Sequence, residues 1–104
     1  ILAIQLACEQ EEAAMEGARE AALLARRLAQ RWEDEKDGTQ KTVVIGPAPA
    51  FISKINDIYR YGVYVKSRDY GKLTAVKNAV ETLRSRQEKP KGSCQFDFDP
   101  VHTY

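Results

Sequence analysis

Long apolar runs are missing from this sequence of 104 residues, and cysteine and histidine are scarce. No apolar stretch approaches the roughly 20 residues that a helix needs to cross a bilayer. The apolar start at Ile1–Ile4 leads into an acidic segment rather than a signal-peptide cleavage site. The two cysteines, Cys8 and Cys94, are too far apart in sequence to form a zinc motif. We therefore expect a cytoplasmic domain without membrane contact, in which both thiols are reduced.

Residue patterns that indicate catalysis are also weak. Asp97, Asp99 and His102 bring oxygen and nitrogen ligands close together, but strand alternation followed by a tail explains them without a metal. A cysteine paired with His102 fails as a nucleophile, because both thiols are predicted to point inward. An enzyme of the acylphosphatase kind would need a glycine-rich loop with an arginine after the first strand, where this chain has the acidic segment Cys8–Glu12. We predict no enzymatic activity, no metal site and no cofactor in this fragment.

One stretch, Ile58–Lys66, alternates strictly between two kinds of side chain, which is typical of a strand with one buried face. The apolar and aromatic set, fit for a core, is Tyr59, Tyr61, Val63 and Val65. The other set is Arg60, Gly62, Tyr64 and Lys66. It carries two cations and an aromatic ring, and its glycine leaves room for a close approach. The sequence therefore predicts a central strand whose second face is open to an acidic partner.

Apolar periodicities predict six elements in the order strand, helix, strand, strand, helix, strand. Their predicted bounds are Ile1–Cys8, Glu9–Glu35, Thr42–Ile45, Ile58–Lys66, a helix from an Asp69 cap to Gln87, and Cys94–Asp99. This is the split βαβ pattern of the ferredoxin-like α+β folds. It predicts a four-stranded antiparallel sheet, in the order fourth, first, third and second strand, with both helices on one face.

The chain is expected to be one domain, residues 1–104, because it is too short for a second core. It opens without Met inside an apolar strand, so we expect a fragment of a longer protein. Gly46–Ala50 holds two prolines and predicts a rigid corner that interrupts regular structure, followed by an irregular connection over Phe51–Ile58. On the second helix, three side chains are predicted to face outward: Lys72, Lys77 and Arg84.

Charge supplies the candidate binding residues. Between Ser53 and Lys91 there are 10 Lys/Arg and 4 Asp/Glu, an excess that attracts nucleic acid or an acidic peptide. On the open strand face, the candidate DNA- or partner-binding residues are Arg60, Tyr64 and Lys66, since cations neutralise phosphates and a ring stacks on bases. The alternatives are a solvated face, or one covered by another domain. A structural pairing of Arg60 with Asp97 or Asp99 is a further alternative.

A second candidate is the start of the second helix, where Arg68 and Lys72 lie beside a helix N-terminus. Such a terminus suits a phosphate or a carboxylate-rich tail. The alternative is ordinary capping by Asp69 with solvated neighbours.

Several segments, in this order, resemble the C-terminal domain family of PriA, the bacterial primosomal replication-restart helicase. They are an opening Leu2–Ile4 strand with an acidic helix start, then Val44–Ala50, Tyr59–Tyr61 and Phe96–Pro100. The resemblance covers most of the chain. It implies a fold like that of a small ribosomal-subunit protein, and a parent that recognises stalled forks, unwinds DNA with ATP and helps to reload the replicative helicase.

The resemblance also implies partners: branched and single-stranded DNA, the acidic, apolar tail of the single-stranded-DNA-binding protein, other primosome proteins and other domains of the parent. The family's ATP-binding motif and zinc-binding cysteine cluster have no counterpart in this sequence. ATP and zinc are therefore expected in the parent only. The alternative function is that of a purely structural domain, which packs the helicase core and touches no DNA.

Overall fold

The structure, a computed structural model, describes residues 1–34, 42–87 and 92–99, without the side chains of residues 34 and 50–55. Within these ranges the chain forms a four-stranded antiparallel sheet in the order β2-β3-β1-β4. The elements in chain order are β1 Leu2–Cys8, α1 Glu11–Asp34, β2 Val43–Ile55, β3 Ile58–Lys66, α2 Tyr70–Ser85 and β4 Ser93–Phe98. The predicted α+β class, element order and strand order are confirmed.

Both helices pack on one face of the sheet and form a single core with it. The helices contribute small and aliphatic side chains at spacings of three and four, which places them on one stripe. The fully or almost fully buried helix residues are Ala14, Ala18, Ala21, Ala22, Ala25, Leu73, Val76 and Val80. Because most of the α1 stripe is alanine, the helix axis can approach the sheet closely.

The central strand β3 has the predicted parity. Val63 and Val65 are completely buried and Tyr61 is 8 % exposed, all within the core beneath the helices. The Tyr61 hydroxyl donates a hydrogen bond to Glu11 Oε2 at 3.0 Å, which ties β3 to the first turn of α1. This bond raises the pKa of Tyr61, because the neighbouring carboxylate stabilises the protonated phenol. The intervening side chains of β3 therefore point away from the helices.

The prediction for β2 was wrong. In place of a short strand and a proline corner, the strand runs from Val43 to Ile55 and absorbs the Gly-Pro-Ala-Pro-Ala segment through two register shifts against β3. Prolines are tolerated here because β2 is an edge strand, whose outer side forms no ladder. Gly46 adopts φ +114°, and a Cβ at this position would lie 2.7 Å from the carbonyl oxygen of Gly62. Only glycine fits this close approach between the two strands.

A two-residue turn, Asn56 and Asp57, joins β2 to β3. Both residues have positive φ, 54° and 62°, as a type I′ hairpin turn requires. The sequence analysis missed this turn, although Asn and Asp are the side chains that tolerate the left-handed conformation best after glycine. The long hairpin explains why β2 and β3 share more of their length than the sequence pattern predicted.

We expect opposite results from the same substitution at two adjacent residues of β3. Val65→Asp buries an unpaired carboxylate in the core and should lower the free energy of unfolding by about 3–5 kcal/mol. Lys66→Asp, on the exposed side, should change it by less than about 0.5 kcal/mol. Urea unfolding followed by circular dichroism measures both. Equal losses from the two variants would contradict the assigned parity.

Candidate functional site

The face of the sheet opposite the helices is the candidate site. We call it the open face. In paired strands, directly opposed residues lie on the same side of the sheet. The register of β1 against its two neighbours therefore assigns three rows to the open face: Ala3, Gln5 and Ala7 on β1; Arg60, Gly62 and Tyr64 on β3; Ser93, Gln95 and Asp97 on β4.

The three open-face candidates, Arg60, Tyr64 and Lys66, lie on this face as predicted. Arg60 is half-buried, and its Nη1 lies 3.5 Å from the carbonyl oxygen of Ile58, to which it donates. Tyr64 is half-buried, and a Cβ placed on Gly62 would lie 3.1 Å from its hydroxyl, so the phenol side chain lies along the glycine backbone. Lys66 ends the strand and is exposed. From Arg60 to Lys66 the row extends for roughly 20 Å, at about 3.3 Å per residue.

The structural pairing of Arg60 with Asp97 or Asp99 was wrong. Arg60 lies opposite Ala7 of β1, whereas Asp97 lies opposite Ala3, four residues along the same strand. At about 3.4 Å per residue this separates the two positions by roughly 13 Å along the sheet, besides the width of β1 between them. Asp99 instead accepts hydrogen bonds from the backbone nitrogen of Ile1, at 2.7 Å, and from the Tyr70 hydroxyl.

Asp99 and Tyr70 form a polar contact between the end of β4 and the first turn of α2. The Asp99 carboxylate raises the pKa of Tyr70, since it stabilises the protonated phenol. Beneath the hydroxyl, the Tyr70 ring stacks on Phe98 with the ring centroids 5.6 Å apart. Asp99 is thus part of a structural contact at the edge of the sheet.

The open face is concave along β1. Two cavities lie on it, of about 590 Å³ beside Arg60 and about 510 Å³ beside Tyr64. Gln5 and Gln95 line both of them, and we call the two neighbouring cavities together the trough. The sequence analysis missed the trough, because it depends on the small side chains of β1, which were assigned to a strand but not to a site.

Two apolar side chains border the open face at its β2 edge. Val43 is paired with Lys66 and Ile45 with Tyr64, and they are 46 % and 42 % exposed. Their exposure beside the open face was not predicted, because an alternating apolar pattern does not show which residues lie next to the end of a strand. They add an apolar margin to an otherwise polar and basic row.

At the start of α2, the predicted cap is present. Asp69 Oδ1 accepts a hydrogen bond from the backbone N–H of Gly71 at 2.9 Å, which satisfies one of the donors at the helix N-terminus. Arg68 is exposed beside it. The Asp69 cap is thus confirmed, and the binding of a phosphate or a carboxylate-rich tail beside Arg68 stays a prediction.

The outward orientation of Lys72 was wrong. Its side chain is 8 % exposed, and Nζ lies 5.6 Å from the centre of the Trp32 ring on α1. The reason is helical spacing: Lys72 precedes the buried Val76 by four residues and so shares the face that packs on α1. The aliphatic stem is buried while the ammonium rests over an aromatic ring, as cation–π contacts favour. Arg68 is thus the accessible member of the predicted pair.

The two cysteines are both free thiols, and Cys94 lies opposite Leu6 of β1 with its side chain packed against the core. Burial raises the pKa of the Cys94 thiol, which makes it a poor nucleophile at neutral pH. Over residues 1–34, 42–87 and 92–99, no three His, Cys, Asp or Glu side chains form a group that could hold a metal ion. His102 lies outside these residues. Among the helices in the same ranges, none is long and apolar enough to cross a membrane.

Comparison with known proteins gives one family. The primosomal protein N C-terminal domain family matches residues 2–101, which is nearly the whole chain. A search of curated proteins gives no match. The matched segment includes all six elements of the fold and every residue of the open face.

Proposed function

Because this chain belongs to the primosomal protein N C-terminal domain family, we propose that it is a non-catalytic module that holds branched DNA on its open face during replication restart. The family membership supports the primosomal replication-restart role. The observation that supports DNA binding is the position of Arg60, Tyr64 and Lys66 in one row on a face that neither helix covers.

The mechanism we propose is positioning. Arg60 and Lys66, one towards each end of the row along β3, neutralise two separate phosphates and release their counterions, while the Tyr64 ring stacks on a base or sugar. No bond is made or broken in this module. Its parent, a longer helicase in our proposal, carries out the ATP-driven unwinding elsewhere, with ATP and zinc bound outside this fragment.

A second contact that we propose is with the acidic, apolar tail of the single-stranded-DNA-binding protein, at the start of α2. Arg68 supplies an exposed cation there, and the ring of Tyr70 is 53 % exposed. A cation beside an exposed ring suits a peptide that carries both carboxylates and apolar side chains. Lys72 does not take part in this contact, because its ammonium rests on Trp32.

The alternative is a purely structural domain that packs against the rest of the helicase. One observation favours it, the apolar margin formed by Val43 and Ile45 at the β2 edge. Exposed apolar side chains next to one another are typical of surfaces that another domain covers. Only the DNA-binding function predicts an affinity for DNA that falls as the salt concentration rises, so a salt series distinguishes the two functions.

The proposed DNA contact predicts binding of fork DNA that weakens steeply as the salt concentration rises from about 50 to 200 mM. The double variant Arg60→Ala, Lys66→Ala should bind more weakly and lower the slope of log affinity against log salt by about 0.7–0.9 for each lost phosphate contact. Fluorescence anisotropy of a labelled fork measures both quantities. The matched control is Arg27→Ala, Arg31→Ala, which removes two exposed cations from α1 and should leave the slope unchanged.

The outcomes separate the two functions. A chain that ignores forked and single-stranded DNA even at low salt would support the structural alternative. A control variant that weakens binding as much as the open-face variant would also count against the proposal, because the contact would then follow net charge rather than position.

For the partner tail, Arg68→Ala should weaken binding of the intact single-stranded-DNA-binding protein at least fivefold, about the effect of 1 kcal/mol. Arg86→Ala is the control, since Arg86 is an exposed arginine at the other end of α2. Isothermal titration calorimetry without DNA isolates this contact. Equal affinities for the two variants would remove Arg68 from the site.

A further inference from the structure

The trough carries charges of both signs, and its two carboxylates have no role in the proposed function. Glu9 and Arg60 line the cavity of about 590 Å³, and Asp97 lines the cavity of about 510 Å³. Within residues 1–34, 42–87 and 92–99, none of the three forms a salt bridge with another side chain. Glu9 and Asp97 are exposed and Arg60 is half-buried. All three charges are therefore available to a bound molecule.

The strand register gives the order and spacing of these charges along β1. Arg60 lies opposite Ala7, and Glu9 follows Ala7 by two residues in the chain. The level of Asp97 lies four residues from that of Arg60 in the other direction, and the neutral amide of Gln5 lies half-way between them. At about 3.4 Å per residue, successive levels are roughly 7 Å apart. The order along the trough is therefore negative, positive, neutral, negative.

An extended polypeptide has the same period as this pattern. Its side chains point alternately to two sides, so those on one side recur every second residue, at roughly 7 Å. A strand that lies over the sheet runs within about 30° of the strands beneath it, as packed sheets do. Four alternate side chains of such a segment can thus face the four levels of the trough one by one.

Charge distinguishes this occupant from a polymer of uniform sign. DNA that lies along β3 meets the cations of that row, whereas a molecule that lies in the trough also meets the carboxylates of Glu9 and Asp97. A chain with phosphates at every step is repelled at those two levels, and a purely basic chain is repelled by Arg60. A polypeptide can carry both signs in the order that the trough requires, with a cation, a carboxylate, a neutral polar side chain and a second cation.

The lining between the charges also suits a peptide. Ala3 and Ala7 line the trough on β1, and such small side chains let a backbone approach the sheet closely. Gln5 and Gln95 offer amide donors and acceptors, and Ser93 offers a hydroxyl, which peptide groups and polar side chains can use. Amides, small residues and charges of both signs together favour recognition of a mixed polar segment.

We propose that the trough binds an extended segment of a partner protein in which basic, acidic, neutral polar and basic side chains stand at alternate positions. The two cations of the segment pair with Glu9 and Asp97, and its carboxylate pairs with Arg60. This inference goes beyond the proposed function, because the ligand is a polypeptide and the trough is its site. Since DNA on the open face also contacts Arg60, the peptide and DNA exclude one another.

The test uses a labelled peptide with capped ends that carries lysine, glutamate, glutamine and lysine at alternate positions, with threonine between them to favour the extended form. Fluorescence anisotropy with the 104-residue chain, at low salt and without DNA, measures its affinity. The matched control peptide has the same composition in the order lysine, lysine, glutamine, glutamate. It should bind at least about tenfold more weakly, because two of its charges then face like charges on the chain.

On the chain, Asp97→Lys places a cation opposite the second lysine of the designed peptide, so it should weaken binding about fivefold. A peptide whose second lysine is replaced by glutamate should recover this loss on the variant. Glu33→Lys is the matched control, since it makes a similar change at an exposed position of α1 and should leave the affinity unchanged. Thermal unfolding of both variants verifies that the fold is retained.

The outcomes distinguish this inference from the proposed function. Equal affinities for the two peptides, or a folded Asp97→Lys chain that binds the designed peptide as the unaltered chain does, would overturn the inference. Neither result affects the DNA contact, because Asp97 is not among the residues that hold DNA in the proposed function. A chain that binds the designed peptide but no fork DNA supports the inference and contradicts the proposed function. Displacement of a labelled fork by the peptide supports both.

Discussion

The rest of the structure depends on the packing of alternate β3 side chains against the helices. Val63 and Val65 are completely buried, and each contributes about 1.5–3 kcal/mol through removal of its surface from water. Because successive side chains on a strand point to opposite sides, a slip by one residue would expose them and bury Tyr64 and Lys66 instead. The core thus determines the composition of the open face. The candidate residues Arg60, Tyr64 and Lys66 therefore point outward as a consequence of core packing alone.

A sheet covered on one side only leaves its second side for recognition. On this molecule that side is differentiated across its width, with cations on β3, small residues and an amide on β1, and an amide and a carboxylate on β4. The gradient follows from the strand order, because β1 lies between β3 and β4 and its side chains are the smallest of the three.

The sequence sufficed for the elements, the strand order and the parity of Ile58–Lys66, because these follow from apolar periodicity and chain order. Prediction from the sequence failed where the contacts of a residue depend on which elements lie next to it in the fold. The sequence alone predicts Lys72 to be a surface cation, whereas in the fold its ammonium lies over the Trp32 ring. The pairing of Arg60 with Asp97 was wrong because β1 lies between their strands. The long β2 strand was missed because proline is permitted on an edge strand, and edge position is a property of the assembled sheet. The trough was missed for the same reason, since it exists only when three strands lie side by side.

The most direct test of the account is a map of backbone amide chemical shifts of the ¹⁵N-labelled chain during titration with a short single-stranded oligonucleotide. DNA binding on the open face predicts that the shifts concentrate on Arg60, Tyr64 and Lys66, with little change at the exposed surface of α1. Shifts confined to the helices, with the open-face residues unmoved, would contradict it.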